Sequence, residues 1–223
     1  MPVVSKRSLE GVFIPSVYPK IKYLPINPPK QCKKEKIMSK EYTNDLLSQR
    51  VLVEEKMDGR SSMYISDKGE FRIFAEDLKY VHSLNYKVPA RYAVFDIFDC
   101  NRHMFLCREH KEDVFNSLKK GTVRIYDQNP YNFFLASMIT KGWFKLEEIP
   151  NLIGMSRYAY DPKKHDSIRM EGVVVKPDRE LLMPEFKYLV GKCVRTDFSE
   201  KIIENYLTKN LELNEINPRV GYE

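Results

Sequence analysis

The chain has 223 residues, 43% hydrophobic and 30% charged, with 14 Tyr and 12 Phe. That supplies a sizeable core and excludes an intrinsically disordered chain. The formal net charge of +6, from 37 basic and 31 acidic residues, suits a polyanionic partner but also ordinary solubility. Cys32, Cys100, Cys107 and Cys193 form no Cys-x-x-Cys pair, and His82, His103, His110 and His165 no His-x-x-x-His pattern. Neither a disulfide scaffold nor a structural zinc site is expected. No apolar run approaches the about 20 residues of a membrane span, and the N-terminus lacks a signal core. The expectation is a cytoplasmic protein, in the host cytoplasm if viral, with no membrane partner.

Residues 1–50 open with Pro2, Pro15, Pro19, Pro25, Pro28 and Pro29, a density that favours extended chain. The run Lys30-Gln31-Cys32-Lys33-Lys34-Glu35-Lys36 reads most simply as a solvated loop, and phosphate contact is its functional reading. Residues 41–49 suggest a short helix. Residues 51–56 form an apolar strand running through two acids into Lys56, and Asp58-Gly59 marks a turn, since Gly accepts positive φ. Strands follow over 61–66, 71–74 and 92–99, the first two joined by a turn at Asp67-Lys68-Gly69-Glu70. A helix is expected over 108–119, ending at Gly121, then a strand over 123–126 and helices over 131–140 and 147–158, the second interrupted by Pro150. Strands over 171–176 and 185–195 and a helix over 199–208 complete the chain.

A lysine at the end of a buried strand, beside a tight turn, is a candidate nucleophile, because desolvation disfavours the ammonium. An ordinary hairpin with a solvated lysine is the simpler reading of Lys56 alone. Glu76 as a loop acid, Phe95 as a core aromatic and Glu171 and Lys176 as strand flanks are equally plain. Their joint order carries more. Attack on an α-phosphate needs cations around phosphorus, a carboxylate-held metal, and an aromatic face for the base. No Gly-x-x-x-x-Gly-Lys-[Ser/Thr] phosphate loop is present.

Lys56-Met57-Asp58-Gly59, Phe95-Asp96-Ile97, Glu171-Gly172-Val173-Val174-Val175-Lys176 and Lys192, in this order, resemble the motifs of the covalent nucleotidyltransferases: ATP-dependent DNA ligases, RNA ligases and mRNA capping enzymes. The likeness is greatest to RNA ligases of the phage double-strand-sealing type. The stretch from Phe74 through Glu76-Asp77 to Tyr86, and Lys192-Cys193-Val194-Arg195 with Phe198-Ser199-Glu200-Lys201, are similar to further motifs of that family. The resemblance implies an α+β nucleotidyltransferase domain of the ATP-grasp-like ligase type, with antiparallel sheets flanked by helices around a central nucleotide groove. It implies that Lys56 forms lysyl-AMP, Glu55 helps position adenine, Glu76 contacts the ribose, Phe95 stacks on the base, Glu171 helps hold Mg²⁺ or Mn²⁺, and Lys176 and Lys192 contact phosphates. The expected organisation is a single domain over 1–223: an extended segment over 1–50, the motif-bearing core over 51–201 and a helix or tail over 202–223, with no C-terminal accessory domain.

The chain also departs from the pattern. The arginine expected between nucleophile and ribose glutamate has Arg72 as its nearest candidate and Arg60 as another. Val194 stands where a second lysine is expected, and Arg195, the nearest substitute, would point to the opposite face of a strand. Asp58 is a further candidate site residue. The favoured reading is an ATP-dependent RNA ligase joining 5′-phosphate and 3′-hydroxyl ends, with RNA as partner. The open alternatives are a DNA ligase, a capping guanylyltransferase, a nucleotide- or RNA-binding module that does not seal, and an enzyme whose missing C-terminal domain comes from a partner protein.

Overall fold

The computed structural model describes residues 14–198 and 212–219. The helix expected over 199–208 lies outside the described residues. Three sheets and a few short helices make the protein α+β. The first sheet runs β1 (Lys22–Tyr23), β14 (Gly191–Val194), β12 (Gly172–Pro177), β2 (Val51–Lys56) and β9 (Met138–Gly142). The second runs β13 (Leu181–Leu182), β7 (Met104–Phe105), β6 (Tyr92–Asp99), β4 (Phe71–Asp77) and β3 (Arg60–Ile65), with β8 (Phe133–Leu135) beside β6. The third contains β11 (Ser167–Arg169), β10 (Met155–Tyr160), β5 (Asn85–Val88) and β15 (Glu215–Ile216). Pairing is mostly antiparallel, but β1–β14, β6–β8 and β5–β15 are parallel. The α-helices are α1 (Lys40–Leu47), α2 (Arg108–Lys119) and α3 (Met183–Leu189).

Strand periodicity sorts the first sheet into two chemistries. Val51, Val53, Val173 and Val175 share one face and bury against Leu24, Met38, Leu46 and Ile149. Register pairs Lys56 with Gly172 and Glu54 with Val174, and Val174 in turn with Lys192. Glu54, Lys56, Val174, Lys176 and Lys192 therefore share the other face. The second sheet covers it, with Phe74, Phe98, Phe105, Phe186 and Val190 forming the core beside Val174 and Phe95.

Several expected elements take another form. Over 131–140 the chain makes a 3-10 turn (Pro130–Asn132), β8 and the start of β9 rather than a helix. Short apolar runs such as Phe133-Phe134-Leu135 suit either state, and sheet edges at β6 and β2 take them as strands. Over 147–158 a 3-10 helix (Leu146–Leu152) holding Pro150 gives way to β10. Over 185–195 the first half is helical: Pro184 sits in the first turn of α3 and Glu185 accepts from the Leu182 amide, both helix-start devices. No strand forms over 123–126, where Ile125 makes only an isolated bridge to Ser66.

Candidate active site

A cavity of about 250 Å³ opens between the first two sheets. Its walls include Glu54, Glu55 and Lys56 from β2, Val174 and Lys176 from β12, Lys192 from β14, Ser61 from β3, Glu76 from β4, and Phe95 and Asp96 from β6. The sequence-predicted residues Lys56, Glu55, Glu76, Phe95, Lys176 and Lys192 thus meet at one place.

Lys56 Nζ lies 2.7 Å from both carboxylate oxygens of Glu171. Its side chain is 26% exposed, so the amine is reachable from the cavity. Burial pulls its pKa down, but Glu171, with Glu76 and Asp58 behind it, outweighs that and pushes it up to about 12. This corrects the expectation that desolvation frees the amine: here Lys56 is held as an ammonium. Burial raises the Glu171 carboxyl above its ordinary value against the opposing pull of Lys56. Burial also raises Glu76, to about 7, and its Oε1 accepts from the Gly59 amide at 3.2 Å. Gly59 earns its place by close approach rather than positive φ: a Cβ there would stand 2.7 Å from the Asp77 carbonyl and 2.9 Å from Glu76 Cγ. Lys192 lies 4.2 Å from the Tyr23 ring centroid. Burial first, and the neighbouring Lys56 charge second, bring its pKa down to about 8. It is poised for an anionic partner.

Next to Lys56 on β2, Glu55 Oε1 accepts from the Ser156 hydroxyl, while Oε2 is buried with no partner among the described residues. Burial raises this carboxyl to about 7. A buried acceptor left unpaired costs free energy until a donor arrives. An exocyclic amine is a donor of the right kind. The Phe95 ring offers an aromatic face to the cavity, backed edge-on by Tyr18 at 4.7 Å.

A buried charge cluster begins in the cavity wall at Glu54, Asp96 and Lys176. Glu54 is bound by Lys111 at 2.7 Å, Lys176 at 2.8 Å and Arg108 at 3.0 Å, and these cations hold its pKa below the usual carboxylate range despite burial. Lys176 also donates to Asp96 at 2.6 Å and to the Phe95 carbonyl at 3.2 Å. An ammonium has three donors, and all three are engaged here. The phosphate contact implied for Lys176 therefore has no free N–H in this state. Lys111 donates to the same Phe95 carbonyl at 2.7 Å, so two lysines fix the backbone at Phe95.

The remaining candidates stand elsewhere. Arg72 donates to the Gly69 carbonyl at 3.4 Å, on the hairpin end of β4, and does not line the cavity. Arg60 is exposed at the start of β3. Asp58 has a local structural role: its carboxylate accepts from the Ser83 and Leu84 amides, and its own amide donates to Tyr86 Oη. Arg195 pairs with Asp197 at 3.0 Å. Cys107, His110 and Glu180 bring potential metal-ligand atoms within 4.8 Å of one another, but Arg102 already holds both Glu180 oxygens at 2.7 and 2.5 Å. Sequence reasoning gave no role to Tyr18, Glu54 or Lys111, and quoted Asp96 only as part of the Phe95-Asp96-Ile97 motif. An acid that directly follows three apolar strand residues, Val51-Leu52-Val53, is a signal for Glu54, because buried charge needs a partner. Nothing in the local pattern marks Tyr18.

The family model for RNA ligase matches residues 62–194. This chain belongs to the RNA ligase family. The matched segment of this RNA ligase family member begins downstream of Lys56 and takes in Glu76, Phe95, Glu171, Lys176 and Lys192. No curated protein matches the chain. Among solved structures it is similar to Naegleria gruberi RNA ligase with pyrophosphate, at 12% identity and TM-score 0.49, covering 86% of this chain and 64% of that one. It is similar to a lysine-to-alanine variant of that ligase with ATP and Mn, at 10% identity and TM-score 0.48, over 86% and 64%, and to an apo aspartate-to-alanine variant, at 11% and 0.48, over 84% and 60%. This RNA ligase family chain thus spans less than two thirds of the length of those ligases.

Proposed function

We propose that this protein is an ATP-dependent RNA ligase joining 5′-phosphate and 3′-hydroxyl ends, with Lys56 as the residue that carries AMP. The observation behind this reading is the Lys56–Glu171 pair at 2.7 Å, with Lys56 on the wall of a cavity that Glu55 and Phe95 also line. In this reading a nucleotide lies with its base toward Glu55 and Phe95 and its phosphates toward Lys56 and Lys192, all four of which line the cavity. The Lys56 nitrogen attacks the α-phosphorus, and the bond to the bridging oxygen breaks with loss of pyrophosphate. A 5′-phosphate oxygen then takes the AMP, breaking the P–N bond. Finally a 3′-hydroxyl attacks the activated phosphorus and AMP leaves.

Each step is a displacement at phosphorus in which positioning and charge neutralisation lower the barrier. Lys56 must lose a proton before attack, and Glu171 is the acceptor within hydrogen-bond reach. Carboxylate oxygen at Glu171 suits a hard divalent ion, Mg²⁺ or Mn²⁺, which would neutralise charge on the phosphates. Lys192 supplies a point cation for the α-phosphate. Glu76, which accepts from the Gly59 amide, would accept from a ribose hydroxyl.

Incubation with α-labelled ATP and metal tests the first step: the wild type gains covalent AMP and Lys56→Ala does not. Nicked RNA and nicked DNA duplexes then test the substrate. An unlabelled wild type, or sealing of DNA only, would overturn the reading.

A further inference from the structure

The lysine run near the N-terminus has a place in the fold that plain solvation does not require. Residues 20–36 contain six lysines and a single acid, Glu35. The segment folds back along the edge of the first sheet. Ile37 bridges Tyr23 in parallel, and the Met38 amide donates to the Tyr23 carbonyl at 2.8 Å. Tyr23 in turn stands in register with Lys192, and the Leu24 amide donates to the Lys192 carbonyl at 2.8 Å. Three neighbouring backbones thus lead from Lys192 outward to the 34–37 turn, a spacing of about 10 Å at the usual interstrand distance. Lys33, Lys34 and Lys36 are exposed and, among the described residues, have no ion-pair partner. Lys22 and Lys34 line one shallow surface depression beside them. The Lys36 charge is among those that bear on the Lys192 ammonium.

We propose that the lysine edge of Lys20, Lys22, Lys33, Lys34 and Lys36 carries the phosphodiester backbone of the RNA strand that presents its 5′-phosphate to Lys56 and Lys192. The inference rests on the RNA ligase reading and adds a surface to it. A pyrophosphate is also polyanionic, but its two phosphates cannot contact five lysines that run from Lys20, just before β1 (Lys22–Tyr23), through a turn to the 3-10 helix Lys34–Lys36. A strand with a phosphate at every nucleotide can. Cations on such a surface displace condensed counterions, so binding weakens as salt rises, by a slope of about 0.7 per phosphate for a single strand.

The test uses the full chain and a fluorescent 5′-phosphorylated RNA oligonucleotide, with affinity measured across a salt series. Combining Lys33→Gln, Lys34→Gln and Lys36→Gln is expected to cut the slope of log K against log salt by roughly 2, and affinity at low salt by about tenfold or more. Lysyl-AMP formation at saturating ATP stays at the wild-type rate. A control pair, Lys163→Gln with Lys164→Gln, removes charge from the exposed β10–β11 connection and leaves the slope within 0.5 of wild type, on the order of less than one phosphate contact. The inference is overturned if the wild type binds no RNA, if the triple variant keeps its slope, or if the control pair loses as much. It is also overturned if the variant's ATP requirement rises while RNA binding is unchanged, which would assign these lysines to the triphosphate. A wild type that binds RNA with this slope but takes no AMP keeps the surface and removes the ligase reading.

Discussion

Lys56 and Glu171 form an ion pair across β2 and β12, and the residue opposite Lys56 in the register is Gly172, the glycine that follows Glu171. Lys56 and its counter-ion are thus set by one strand pairing rather than by two independent loops. Side chains held by sheet register keep their geometry better than side chains on loops.

Gly172→Ala tests that arrangement. A Cβ at 172 would meet the Cys193 carbonyl oxygen at 2.3 Å and Val194 Cα at 2.9 Å, both backbone atoms of β14 that cannot swing aside. Overpacking of this kind costs about 1–3 kcal/mol. The shift in β12 should also misplace Glu171, so AMP labelling falls with stability. Urea denaturation and a labelling time course report both, and an unchanged midpoint would contradict the packing argument.

Glu54→Gln should be among the most damaging conservative changes outside the reacting groups. It leaves Lys111, Lys176 and Arg108 around a neutral side chain, and breaking a buried ion cluster from one side costs about 3–5 kcal/mol. Because the Glu54 pKa is depressed in the fold, its contribution is present above the ordinary carboxylate value and lost as pH falls through the folded value. The stability curves of variant and wild type should therefore converge in acid, below about pH 4. Equilibrium unfolding at several pH values measures the convergence.

Glu55 has the opposite sign. Its folded pKa is pushed up to about 7, so the native state favours the protonated carboxyl. That contribution is full below the ordinary value and is lost as pH rises through 7, a change on the order of 3 kcal/mol for the nucleotide-free protein. Glu55→Gln, neutral throughout, should flatten this part of the profile. Thermal midpoints between pH 5 and 8 decide it; parallel curves for the two proteins would refute the assignment.

Phe95→Ala and Arg72→Ala separate a residue inside the cavity from one outside it. Losing an aromatic platform for a base costs about 1–3 kcal/mol, so the ATP concentration for half-maximal labelling should rise roughly fivefold to a hundredfold for Phe95→Ala. Arg72→Ala should stay within about twofold of wild type, as expected for a change remote from the site. A large defect at Arg72 would mean that the hairpin end of β4 reaches the nucleotide.

The site was legible in the sequence where strand alternation and motif order coincide. Lys56, Glu76, Phe95 and Lys192 converge because each sits on a strand whose face can be counted from the pattern. The fold was less legible where a short apolar run could suit two states. Phe133-Phe134-Leu135 became a strand because β6 offered it an edge, and 183–189 became a helix because Pro184 and Glu185 started one. The electrostatics were not legible at all. Whether burial frees the Lys56 amine or a carboxylate traps it depends on Glu171, 115 positions away in sequence. The second function of Lys176 is hidden in the same way: its three donors are spent on Glu54, Asp96 and the Phe95 carbonyl.

Tyr18 belongs to none of the ordered motifs, yet its hydroxyl donates to Asp96 and its ring lies against Phe95, Phe74, Phe105 and Phe186. Pro19 and Ile21 from the same stretch join it in the cavity wall. A fragment trimmed to the motif-bearing residues from 51 onward would therefore lose the floor beneath the Phe95 ring. An inactive fragment of that kind would say nothing about the chemistry of Lys56, because what had been cut away was the pocket.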